Sequence, residues 1–141
     1  MNTPMKLVVA AAMATISISV QAGALAEMSG ALAGQQKTKL ADSLVDIVSR
    51  HGGKVSYEQA YKQADMMLSE LDATAKQKGK SCLLIAREWR EAEEKKLKEE
   101  LKTIDDTKKR EIVQEFADVA NPTAVDYIKY KCLENSELLN K

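Results

Sequence analysis

The sequence predicts an all-α protein: a small helical bundle of four to five helices with one disulfide and one long charged helix. Three observations predict it. Apolar residues recur at three- and four-residue steps, and no useful length of strand-like alternation interrupts them. Long proline-free stretches are rich in Ala, Glu, Lys and Leu, which favour helix; Pro4 and Pro122 are the two prolines. The only two cysteines, Cys82 and Cys132, bracket one charged helical segment and one more apolar one.

Pairing of those cysteines requires an oxidising compartment, and the N-terminus supplies the argument for export. Lys6 is the single positive charge ahead of an uncharged apolar run, residues 7–20. Residues 21–26 (QAGALA) offer small-x-small cleavage sites after Ala22, Ala24 or Ala26. This is the layout of a secretory signal peptide, and the run is shorter than the ~20 apolar residues a spanning helix needs. The expected organisation is a signal peptide over residues 1–26 and one helical domain over residues 27–141, periplasmic or secreted. No cysteine follows the apolar run to carry a lipid anchor. In an exported chain of this size, Cys82 and Cys132 are expected to form one bridge, and the alternative is two buried thiols. A redox-active pair would need the close spacing of a C-x-x-C motif.

Residues 27–36 read as a frayed segment or loop, because Gly30 and Gly34 weaken a helix there. From about residue 37, Leu40, Leu44, Ile47 and Val48 define a first helix, which Gly52 and Gly53 end near His51. Ser56 and Gln59 form a capping box for the second helix, and Val55 can staple onto Ala60. Tyr57, Tyr61, Ala64, Leu68, Leu71 and Ala75 form its predicted core stripe, and Gly79 its end. Ser81 caps a third helix that is apolar as far as Trp89. It then becomes the charged run 87–102, with only Leu97, Leu101 and Ile104 as a thin apolar stripe. Asp105 or Asp106 recaps the chain. A fourth helix carries Ile112, Val113, Phe116, Ala117 and Ala120, and Asn121–Pro122 reads as the start of a fifth.

Composition argues against most chemistry. The chain holds 21 basic and 21 acidic side chains, far from the strongly basic domain that nucleic acid demands. Its one histidine, His51, reads as a cation near a helix C-terminus. One His and two distant Cys cannot build a zinc site, and Met66 and Met67 suit core packing better than copper. Gly52–Gly53 lacks the Lys-Ser/Thr of a phosphate loop, and no serine sits in a G-x-S-x-G turn. No catalytic residue, cofactor or metal is expected, and the chain is read as a non-enzyme. Binding through helical surfaces remains. Leu97, Leu101, Ile104 and Trp89 are the candidate partner-binding residues, with Tyr57 and Tyr61 as further aromatic positions.

Residues 125–135 (VDYIKYKCLEN), together with Cys82, resemble the C-terminal end of the small periplasmic acid-stress chaperones, the Hde-like family. The resemblance covers about the last fifth of the chain. It implies a helical protein with one disulfide between cysteines of comparable separation, acting on other proteins. The expectation is therefore an exported protein-binding helical protein working as a stress chaperone. The alternative is an immunity or inhibitor protein that blocks a secreted toxin or hydrolase. A protein partner is expected and a homo-oligomer is open, with no nucleic acid and no membrane anchor after processing.

Overall fold

In the computed structural model the described residues are 18–136, with side chains placed from residue 24. The charged start and most of the apolar run of the expected leader lie outside them. Five helices and no strand occur among the described residues: α1 Ile18–Arg50, α2 Tyr57–Ser69, the single turn α3 Asp72–Ala75, α4 Cys82–Lys102 and α5 Thr107–Glu134. The all-α bundle is as the periodicity requires, and so is the long charged helix, α4.

The local signals act where the sequence places them. Gly52, at φ 84°, ends α1 in a left-handed conformation that only glycine adopts without cost. The Ser56 hydroxyl accepts from the Gln59 amide at 3.1 Å, and the Gln59 side chain accepts from the Ser56 amide at 3.2 Å. The Ser81 hydroxyl caps α4 by accepting from the Leu84 amide. Asp106 caps α5 by accepting from the amides of Lys108 and Lys109.

Three expectations are corrected. Residues 27–36 are neither frayed nor a loop but part of α1. Ser29, Ala33 and Gln36 are buried there, and tertiary burial outweighs the weak propensity of Gly30 and Gly34. Gly30 faces α5 closely enough that a Cβ would meet the Glu134 carboxylate. Second, Asn121–Pro122 starts no helix, because α5 runs through it unbroken. Pro122 lies on the exposed side, where the loss of the Asp118 carbonyl's amide partner costs least. Third, Tyr57 and Tyr61 are not core. They are 47% and 37% exposed and rest against each other, ring centroids 6.2 Å apart, while Ala60, Ala64 and Leu68 take the buried side of α2. That helix also ends at Ser69, ahead of Gly79, because the chain turns at residues 70–71. The turn carries Ala75 from the first core into a second.

The antiparallel pairing of α1 and α5 is the backbone of the bundle. Gly30 sits beside Glu134, Lys37 lies 5.8 Å from the Tyr127 ring, and His51 reaches Glu115. Between them and α2 lies a cluster of Ala33, Leu40, Ala41, Ala60, Ala64, Leu68, Ala120, Ala124 and Tyr127. A second cluster of Ala75, Ile85, Ala86, Ile128 and Cys132 joins α3, α4 and α5. Among the described residues, nine of the sixteen buried apolar side chains are alanine. Small side chains let the helices approach closely, but each buries little apolar area.

Candidate functional site

The α4–α5 hairpin carries the expected partner-binding stripe. Cys82 and Cys132 are joined at its base, with Cα atoms 5.6 Å apart. Leu97 and Ala117 line one cleft farther up. Leu97 is 15 residues beyond Cys82 and Ala117 is 15 residues before Cys132, so the two helices stay in register. Trp89 packs against both core clusters. Between residues 87 and 116 no residue is buried. Leu97, Leu101 and Ile104 are half-buried there, as are Ile112, Val113 and Phe116 of α5. The structure therefore separates the four candidates. Trp89 belongs to the body, and the other three belong to the outer, two-helix part of the hairpin.

A groove runs along one side of this hairpin, floored by small and apolar residues. Its lower part, about 350 Å³, is lined by Leu83, Leu84, Arg87 and Arg90 of α4 and by Val125 and Lys129 of α5. Its upper part, about 430 Å³, continues past Arg90, Val125 and Lys129 to Glu94, Leu97, Asp118 and Pro122. The charges are ordered along it. Arg87, Arg90 and Lys129 lie toward the disulfide, and Glu94 and Asp118 toward the tip. Asp126 also lines the upper part, and it sits 3.5 Å from Lys129. Sequence reading named one α4 residue of this groove, Leu97; Leu101 and Ile104 of the thin stripe line neither part of it. The α5 half had no signal, because it exists only once the two helices are aligned.

A different set of charges holds α1. The Lys37 ammonium meets Asp65 of α2 at 2.7 Å. At the other end Glu115 of α5 accepts from His51 Nε2 at 2.7 Å and pairs with Arg50, whose Nε also reaches Asp46 at 2.9 Å. These hydrogen bonds hold the Glu115 carboxyl below its ordinary range, His51 first and Arg50 second. Lys37 does the same for Asp65. Tyr127 donates its hydroxyl to Asp72 at 2.6 Å, tying α5 to α3, and burial is the main reason its pKa is raised. His51 sits at the end of α1 as the sequence suggests, but its partner, 64 residues away, was invisible there.

A third concavity, about 570 Å³, opens beside the disulfide and is rimmed by Lys76, Lys78 and Lys80. Among the described residues no three His, Cys, Asp or Glu side chains are grouped to hold a metal ion. No helix among them is long and apolar enough to cross a membrane. The histidine is engaged with Glu115 and both cysteines with each other. Compared with known proteins, the chain matches no family model, no curated protein and no solved structure.

Proposed function

We propose that the chain is an exported periplasmic protein, non-enzymatic and without cofactor or metal, that binds other proteins through its helical faces as a stress chaperone. The observation that carries this reading is the unequal way the helices are fastened. Helix α1 is tied to α2 and α5 by the Asp65 and Glu115 carboxylates, whereas α4 and α5 are tied covalently. Acid neutralises the carboxylates and leaves the disulfide intact. Helix α1 then loosens from α2 and from α5, and the apolar side of α5 around Ala120, Ala124 and Tyr127 becomes available to an unfolding client. Export fits the same geometry: cleavage after Ala22, Ala24 or Ala26 removes no buried described side chain, since the first is Ser29. The test follows aggregation of a client protein at about pH 2–3 and at pH 7. Protection is expected in acid, and absence of protection at both values removes the reading.

The immunity or inhibitor reading draws on the groove, whose ordered charges on a cross-linked hairpin suit one dedicated partner. Affinity capture from a periplasmic extract separates the two. One stoichiometric partner supports inhibition, and weak capture of many proteins supports the chaperone.

A further inference from the structure

We propose that the groove side of the α4–α5 hairpin is a docking surface for a second copy of this chain, the two copies lying antiparallel across a two-fold axis. The inference is independent of the chaperone reading and rests on the order of residues along the groove.

An isologous interface brings the same patch of both subunits together, so the patch must complement itself. Helices reversed by a two-fold place a residue at some height above the axis against one equally far below it. Heights can be counted from the disulfide, because the two helices stay in register from Cys82 and Cys132 up to Leu97 and Ala117. Arg87 lies 5 residues above it and Glu94 lies 12, so their midpoint is 8.5. Lys129 lies 3 above and Asp118 lies 14, again with a midpoint of 8.5. Leu84 at 2 and Leu97 at 15 share it, and so do Val125 at 7 and Pro122 at 10. All eight line the groove.

One axis, roughly 13 Å above the disulfide at 1.5 Å per residue, therefore satisfies four pairings at once. Arg87 meets Glu94 of the second copy, and Lys129 meets its Asp118. Leu84 meets its Leu97, and Val125 meets its Pro122. Symmetry repeats each pairing. Leu83, 70% exposed, falls against the aliphatic stem of Lys98 in the second copy. Arg87 and Glu94 form no ion pair within the protomer among the described residues. Arg90, at 8, falls beside the axis next to the Arg90 of the second copy, a like-charge contact that keeps the dimer weak. Lys129 has only the long contact to Asp126, and Asp118 accepts one bond from Gln114.

Two helices over this length present roughly 500 Å² per copy, below the ~800 Å² of a standard stable interface. A weak dimer follows, with a dissociation constant on the order of 10–100 μM. Sedimentation equilibrium of the disulfide-bonded protein over a range of concentration and salt tests it. A monomer–dimer equilibrium that weakens with salt is expected. Arg87→Glu and Glu94→Arg should each weaken dimerisation at least tenfold, and the double variant should restore it. Lys129→Glu and Asp118→Lys should behave in the same way. All these positions are exposed or half-buried, and circular dichroism verifies that each variant keeps its helix content. A protein that stays monomeric at several hundred micromolar overturns the proposal. So does a dimer indifferent to Arg87→Glu, or charge reversals that do not rescue each other.

Discussion

Glu115 anchors the end of one helix to the first half of another. It takes a hydrogen bond from His51 and an ion pair from Arg50, and both neighbours lower its pKa from the ordinary 4.5. A carboxyl lowered in the folded state contributes stability that is complete above its unfolded value and fades as the pH falls through the folded one. Glu115→Gln should therefore lower the thermal midpoint at pH 7, and the gap from wild type should close below about pH 4. Asp65→Asn should follow the same course, from an ordinary value of 3.8 lowered by Lys37. Thermal melts across the acid range check both, and a gap that stays equal at pH 2 and pH 7 would assign the effect to packing instead. At this scale the sequence was legible at the helix caps, not at the i,i+3 ion pairs such as Glu93 with Lys96. Ser56 with Gln59 is one such cap, as is Asp106 with Lys109. Glu115 and Lys37 gave no signal, because their partners are brought to them only by the folding of α1 against its neighbours.

Helix α5 shows how packing overrides a local rule. Asn121–Pro122 has the residues of a helix start, yet Ala117, Ala120, Thr123 and Ala124 on either side of it are buried on a continuous face. That face holds the helix together across the missing hydrogen bond. Thr123 donates its hydroxyl to the Val119 carbonyl at 2.9 Å, one residue past the gap. Pro122→Ala should thus restore an amide donor for Asp118 and stabilise the protein by about 1–3 kcal/mol. Urea unfolding measures it, and destabilisation would mean that proline is required where it stands. The same override explains α1, whose glycines suggested a loop before α5 was known to lie alongside. It explains α2 differently. Tyr57 and Tyr61 share one period with Ala64 and Leu68, but Ala60 offers a second overlapping period, and the close approach to α1 selects the smaller side chain. The stripe of Leu97, Leu101 and Ile104 was legible because nothing competes with it in a charged helix. The groove it borders was not, since Val125 and Pro122 join Leu84 and Leu97 only through the register of the hairpin.

The whole molecule depends on a core dominated by alanine, in which Tyr127, Leu40, Leu68, Ile85 and Ile128 are the largest fully enclosed side chains. So light a core leaves much of the stability to the cross-link. The bridge spans 50 positions, and by the loop-entropy argument it contributes about 4 kcal/mol. Replacing both cysteines by serine should lower unfolding stability by about that amount. Denaturant titration of wild type and variant is the measurement, and a difference under about 1 kcal/mol would show that helix packing alone suffices. The position of Cys132, near the end of α5, has a further effect. Synthesis must have passed through α5 before the second sulfur exists at all. A polypeptide cut short upstream of it has no means of locking its hairpin, so the covalent seal is fitted only to molecules in which α5 has been made.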